Sequence, residues 1–279
     1  MAGVLNVILN LFFVIGCNMS AEGVAIASAI AQWVSAILIM LHLMHRKDCC
    51  RICLNKLRFH RLASKRVLLI GVPSGLQNAI FAVANLFVQA GLNSFDEITV
   101  SGAAAAANAD TLVFNMMAAF YTACASFVSR NWGAGRNDRI RKSYYISMLY
   151  ASIVGAVAGV LLILFGRQFL GFFADKPEVI DAGVDRLRIM AFSYFIAPLM
   201  DCSIAASRGL GRSVTPTVMV IMGSCVFRVV WIYTVFAFFH TITSLYLLYI
   251  VSWIITGVAE AIYFRMSYKK YVLERSMTW

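Results

Sequence analysis

Amide side chains recur along a stretch of the sequence that carries no charge. Val67 to Phe95 contains no Asp, Glu, Lys or Arg, yet it holds five amides, and four of them recur at intervals of seven, four and four residues, Asn78, Asn85, Gln89 and Asn93. At about 100° per residue of an α-helix, these amides fall within an arc of about 80°. If this helix crosses a membrane, the hydrocarbon core of the lipid bilayer offers these amides no hydrogen-bond partner. We therefore expect this face to meet other helices or a water-filled cavity.

A second polar row follows in the next apolar stretch. Ser101, Asn108, Asn115 and Thr122 recur every seven residues, which again places them on one helix face. Two interpretations stay open, because such a row either lines a cavity or joins helices through hydrogen bonds. From the first interpretation we predict a substrate-binding set of amides and one tyrosine, namely Gln77, Asn78, Asn85, Gln89, Asn108, Asn115 and Tyr194.

Three charged residues inside apolar stretches are candidates for binding a proton or another cation. At 1.5 Å per residue, Asp110 lies about 20 Å and Arg228 about 18 Å from the outer ends of their predicted helices. Because these depths match, the two side chains can pair. Asp201 lies only seven residues from Arg208, near the inner side. We predict Asp110, Asp201 and Arg228 as cation-coupling residues, with a purely structural ion pair as the alternative role of Asp110.

The residues that enzymes and metal sites require are not arranged for those functions. Neither G-x-S-x-G nor H-E-x-x-H occurs in the sequence. His42 and His45 precede Cys49, Cys50 and Cys53, a set that a soft metal ion accepts. Incidental or lipid-modified thiols in a reducing cytosolic loop explain the same pattern, and we favour that explanation. We predict no enzyme, no metal and no cofactor, with H+ or Na+ as the coupling ion.

The polar residues must be positioned by helices that cross a membrane. The 279 residues are 61% hydrophobic and only 13% charged, with a mean hydropathy of +0.78. Continuous apolar runs of about 20 residues indicate membrane-spanning helices. We predict an all-α integral membrane protein, a polytopic helical bundle with one short apolar segment over 2–17 and full spans near 22–44, 67–93, 98–128, 144–166, 186–207, 214–239 and 242–268.

The basic residues fix the predicted orientation. If both ends are cytoplasmic, 19 of the 24 Lys and Arg residues lie on the cytoplasmic side, including those of the linker 46–66 and of the stretch RNWGAGRNDRIRK at 130–142. The net charge is +11, but the basic residues are distributed by membrane side and do not form a patch on one face of the protein. We therefore predict no nucleic-acid partner. We expect a plasma-membrane protein without a signal peptide.

Several segments together resemble the multidrug and toxic compound extrusion (MATE) family. The stretch GVPSGLQNAIFAVANLFVQAGLNSF at 71–95 resembles the seventh helix of that family. NWGAGRNDRIRK at 131–142 resembles the loop after the eighth helix, and RGLGRSVTP at 208–216 resembles the loop between the tenth and eleventh. NVILN at 6–10 and AEGVAIASAIAQ at 21–32 resemble the end of the fifth helix and the start of the sixth.

The resemblance implies an exporter built from two six-helix lobes with a substrate cavity between them. On that mapping, 1–45 is the end of the amino-terminal lobe, 46–66 is a cytoplasmic linker and 67–279 is the carboxy-terminal lobe. The implied function is H+- or Na+-coupled antiport of amphiphilic or cationic xenobiotics by alternating access, with an amino-terminal half as the missing partner. A lipid or oligosaccharide flippase and an inactive fragment are the alternatives. The family's Asp-Pro is replaced by Asn10-Leu11, so the resemblance does not assign the coupling ion.

Overall fold

The computed structural model describes residues 2–47, 51–53 and 58–273, and the described chain is helical with no strand. It divides into two compact units, Met1–Arg61 and Leu62–Trp279. In chain order the helices are α1 (Ala2–Gly16), α2 (Ala21–His45), α3 (Arg61–Leu92), α4 (Glu97–Gly133), α5 (Asn137–Leu170), α6 (Pro177–Gly209), α7 (Val214–Phe239) and α8 (Ile242–Ser267).

The predicted membrane spans are confirmed. Seven helices in the described part of the chain are long and apolar enough to cross a bilayer, and α1 is shorter. The main difference concerns α6, which begins at Pro177 and not near residue 186. Its first turns are amphipathic, and this lowered the hydropathy on which the prediction depended.

The first unit consists of α1 packed against α2. The Asn6 amide donates a hydrogen bond to the Ser28 hydroxyl across 3.2 Å, and Asn10 donates to Asn6 across 3.1 Å. These contacts link polar side chains within an otherwise apolar helix pair, although the Asn10 side-chain oxygen has no partner among the described residues.

Helix α6 lies at the centre of the second unit. In the most apolar 18-residue stretch of α6, 67% of the residues are buried. The corresponding stretches of the other membrane-length helices in the described chain are 11–44% buried. Around it pack α4, α5 and α8, which share its apolar core through residues such as Met117, Leu162, Tyr194 and Trp253. Side chains that point inward from α6 therefore meet three neighbouring helices.

Glycines let α4 and α5 approach α6 at backbone distance. A Cβ atom at Gly102 would stand only 2.7 Å from the Val179 carbonyl oxygen. A Cβ atom at Gly155 would overlap the carbonyl oxygen of Tyr194. Close contact through small residues is the usual basis of helix packing in a bilayer.

Helix α4 begins where Asp96 caps it. The Thr99 hydroxyl and the Thr99 amide both donate to the Asp96 carboxylate, at 2.7 and 3.2 Å. Because these bonds favour the charged form, they hold the pKa of Asp96 below its usual range. The cap sets the residue at which α4 begins, and so the directions in which Asn108, Asp110 and Asn115 point from the helix.

Helix α7 departs from regular geometry on both sides of Arg228. It contains π-helical segments at Ile221–Val226 and Ile232–Phe236, and Arg228 lies in the short α-helical stretch between them. Widened turns of this kind are frequent at functional sites.

Candidate functional site

A cavity of about 350 Å³ lies within the second unit. Five helices contribute to its wall. Its lining residues are Gln77, Asn78, Phe81 and Asn85 from α3, Asp110 and Phe114 from α4, Arg186, Met190, Ala197, Met200 and Asp201 from α6, Arg228 from α7, and Tyr249 and Trp253 from α8. The cavity thus combines amides, aromatic rings and charges of both signs inside a membrane-spanning bundle.

Asp110 is held by two partners from α6. The Arg186 guanidinium donates to one carboxylate oxygen across 2.5 Å, and the Tyr194 hydroxyl donates to the other. Arg186 also donates to the Ala103 carbonyl and stands over the Tyr246 ring, 5.6 Å from its centre. The Asp110 charge is therefore neutralised and fully hydrogen-bonded within the bundle.

The Asp110–Arg228 pair considered from matching depths is not formed. Both residues line the cavity, but Arg186 occupies the position beside Asp110. The span predicted over 186–207 put Arg186 at its first residue, at the very end of the helix. Since α6 starts at Pro177, Arg186 lies about 14 Å along the helix, where its long side chain reaches Asp110.

Arg228 is surrounded by one amide and several aromatic rings. Its side chain is 1% exposed, and one guanidinium nitrogen donates to the Asn85 carbonyl oxygen across 2.9 Å. The guanidinium carbon stands 4.6 Å from the ring centres of both Phe81 and Tyr249, and 6.0 Å from that of Trp253. The other two guanidinium nitrogens have no hydrogen-bond partner among the described residues.

A third charged group lies toward the end of the bundle predicted to be cytoplasmic. Arg208 on α6 donates to the Gln77 side chain on α3 across 2.8 Å. The same guanidinium interacts electrostatically with Glu260, Asp201 and Tyr121. Glu260 on α8 is 0% exposed, and neither of its carboxylate oxygens has a hydrogen-bond partner within the described chain.

The predicted site residues separate into three groups. Gln77, Asn78, Asn85, Asp110, Asp201 and Arg228 line the cavity. Tyr194 does not line it, because it is fully buried and its hydroxyl bonds Asp110.

Gln89, Asn108 and Asn115 also lie outside the cavity. Gln89 donates to Asn93 on the exposed face of α3. Asn108 borders a separate depression of about 650 Å³ near Ser101 and Phe173, and its amide donates to backbone carbonyls of its own helix. Asn115 is exposed. The polar residues that recur every seven positions on α4 do share one face, but that face points away from the cavity that Asp110 lines.

Three charged residues in or beside the cavity, Arg186, Arg208 and Glu260, were not among the predicted site residues. Glu260 carried a signal in the sequence, since a carboxylate within an apolar membrane-length helix is by default a functional candidate. Arg186 and Arg208 carried no such signal in the sequence, because each lies near a predicted helix end, where arginines commonly face water.

The described residues leave the candidate metal site untested at two of its three cysteines. They contain no group of three or more His, Cys, Asp and Glu side chains that could hold a metal ion. Cys53 is exposed, and Cys49 and Cys50 lie outside the described residues.

Comparison with known proteins identifies relatives over most of the chain. The profile of the family MatE matches residues 73–234. The chain is 23% identical over 197 residues to the probable multidrug resistance protein YpnP of Bacillus subtilis (strain 168), covering 69% of this chain and 43% of that protein. It is 21% identical over 228 residues to the probable multidrug resistance protein NorM of Thermotoga maritima, covering 77% and 47%.

A solved structure shows the same fold. A MOP superfamily transporter from Pyrococcus furiosus Vc1 (DSM3638) superposes with a TM-score of 0.87 at 18% identity, over 96% of this chain and 61% of that one. The chain spans about half the length of the curated relatives it matches.

Proposed function

This chain belongs to the MatE family, a family of transporters and not of enzymes, and from that premise we propose that it acts in the efflux of small molecules. The observation that carries the proposal is the cavity of about 350 Å³, walled by five helices and bearing buried charges. Charged groups inside membrane helices are expensive and mark substrate or ion pathways. The plasma membrane, with both chain ends in the cytoplasm, is the proposed location.

The substrates that fit this cavity are amphiphilic. Phe81, Phe114, Tyr249 and Trp253 supply apolar surface, and the amides of α3 supply hydrogen bonds in a pocket of ordinary ligand size. Because the matched relatives are about twice as long, we propose that an amino-terminal half joins this chain in the transporting unit. Alternating access then requires the substrate to favour one arrangement of the two halves over the other.

We further propose that transport is antiport, coupled to H+ through Asp201 and Glu260. Asp110, predicted as a coupling residue, is a weaker candidate because Arg186 and Tyr194 already satisfy its carboxylate. Glu260 is buried with no hydrogen-bond partner in the described chain, and Arg208 is the charged group that acts on it. Binding a proton there removes a charge that acts on Arg208, and Arg208 joins α6 to α3 through Gln77.

Efflux from proteoliposomes tests the proposal. The purified full chain, alone and together with an amino-terminal half from a related transporter, is assayed for dye efflux under a proton gradient and under a sodium gradient. We expect proton-driven efflux that Glu260→Gln abolishes, whereas Glu178→Gln, at an exposed position near the start of α6, leaves it intact. Sodium-driven efflux that survives Glu260→Gln would refute the coupling assignment.

The same vesicles separate the alternatives. Translocation of a fluorescent phospholipid without dye efflux would establish a lipid flippase. Absence of both activities in every combination would establish an inactive fragment.

A further inference from the structure

Arg228 carries a charge that no carboxylate in the described chain neutralises. Its guanidinium is 1% exposed and is bonded to Asn85 alone, which is a neutral amide. The titratable groups that act on it are the Tyr249 hydroxyl and the Cys225 thiol. A buried cation without a counter-charge is strongly unfavourable, so this position calls for an anion.

The acidic residues in and beside the cavity act electrostatically on other arginines. Asp110 is bound by Arg186 at 2.5 Å. Arg208 is the charged group that acts on Asp201, which lines the cavity, and on Glu260, which lies outside its lining. Arg228 is therefore the cavity-lining cation that remains available among the described residues.

The surroundings of Arg228 favour a flat apolar body next to the anionic group. Phe81 and Tyr249 each stand 4.6 Å from the guanidinium carbon, and Trp253 borders the same space at 6.0 Å. The two nitrogens without partners can donate in parallel to two oxygens of one anion, a geometry that arginine provides and lysine does not. A carboxylate or sulfonate attached to an aromatic ring satisfies both features.

We propose that Arg228 binds the anionic group of the substrate, so that this cavity takes aromatic carboxylates or sulfonates in preference to organic cations. This inference replaces the cationic substrates implied by family resemblance. The statement that the anion is transported rests on the proposed function, whereas the statement that the cavity binds the anion does not. Asn85 orients the guanidinium, and the aromatic rings hold the apolar part of the ligand.

Paired probes of opposite charge test the inference. 1-Naphthoate and (1-naphthylmethyl)trimethylammonium share one ring system, and their binding to the purified full chain in a neutral detergent is measured by equilibrium dialysis. We expect the wild-type chain to bind naphthoate at least about tenfold more tightly, the effect of one strong charge-assisted contact. Arg228→Gln should remove this preference, and Arg228→Lys should retain part of it.

The matched control is Arg188→Gln, since Arg188 is exposed and bonds only Asp185 among the described residues. This variant should keep the wild-type preference. If Arg228→Gln does not fold, the thermal stabilisation of the wild-type chain by each probe gives the same comparison without a variant. Equal or tighter binding of the ammonium probe would overturn the inference. An equal loss of both probes in folded Arg228→Gln would show instead that Arg228 is a structural cation.

These experiments can refute the proposed exporter and the proposed anion site independently of each other. Naphthoate binding that depends on Arg228, without efflux of any dye, would support the anion site and refute the proposed exporter. Efflux of a cationic dye by a chain that does not bind naphthoate would support the exporter and refute the anion site.

Discussion

Arg186 and Asp110 form an ion pair of 2.5 Å between α6 and α4, in which each side chain is 11% exposed. Tyr194 completes the arrangement by donating to the second carboxylate oxygen. The pair joins the central helix to its neighbour beside the cavity. Its charges contribute to the packing of the helices, whereas Arg228 keeps donors free for a ligand.

Removal of Arg186 should destabilise the bundle strongly. Arg186→Gln leaves the Asp110 carboxylate buried without a cation, and breaking a buried pair from one side typically costs about 3–5 kcal/mol. We expect the free energy of unfolding in detergent, followed by circular dichroism, to fall by about that amount.

The double variant Asp110→Asn/Arg186→Gln separates charge from packing. It should recover part of the lost stability, because no uncompensated charge is left. If the double variant is as unstable as the sum of the two single variants, the pair contributes no coupling energy and our description of it is wrong.

Tyr194 should affect stability but not ligand binding. Tyr194→Phe removes a hydroxyl that bonds Asp110, and the loss of a hydrogen bond to a charged group costs about 1.5–3 kcal/mol. Affinity for the naphthyl probes should stay within about twofold of wild type, a difference under about 0.5 kcal/mol. The exposed Tyr150, changed to Phe, is the control for stability. A large loss of affinity in a stable Tyr194→Phe chain would restore the substrate-binding role predicted from sequence.

A single methyl group at Gly155 should weaken the packing of α5 on α6. In Gly155→Ala the new Cβ meets the Tyr194 backbone and the Met117 sulfur, and overpacking of this kind costs about 1–3 kcal/mol. Gly75→Ala is the matched control, because no atom of the described chain lies within 4 Å of a Cβ atom there. Thermal unfolding in detergent should show a lower midpoint for the first variant and an unchanged or higher one for the second. Equal midpoints would contradict the close approach.

Two exposed cysteines test the predicted orientation. Cys17 follows α1 and Cys53 lies in the linker, which places them on opposite sides of the membrane if the linker is cytoplasmic. Variants that keep only one of the two are treated in intact cells with a membrane-impermeant maleimide. Cys17 should react, and Cys53 should react only after the membrane is permeabilised. The reverse pattern would invert the topology.

Hydropathy was sufficient to predict the membrane helices but not the partners of their charges. The spans were predictable because each is a long apolar run, and lipid exposure requires no partner residue. Whether Asp110 pairs with Arg186 or Arg228 depends on how α4, α6 and α7 are rotated about their axes. A one-dimensional depth count does not contain that rotation.

The amide rows show the same limit. The stripe on α3 meets the cavity over only half of its length: Asn78 and Asn85 line the cavity and Asn85 bonds Arg228, whereas Gln89 and Asn93 bond each other on an exposed face. The row that contains Asn108 has equal regularity but lies on an exposed face. Periodicity shows which residues share a face, whereas the contacts of the neighbouring helices determine what that face meets.

The widened turns of α7 change the meaning of spacing along that helix. A turn closed by a bond to the fifth residue, in place of the fourth, takes in about one extra residue, which rotates everything beyond it by about 100°. Two such turns flank Arg228, so residues seven apart across either of them do not point the same way. Deleting one residue within Ile221–Val226 would restore regular winding and swing the Phe227–Trp231 stretch by more than a quarter of a revolution.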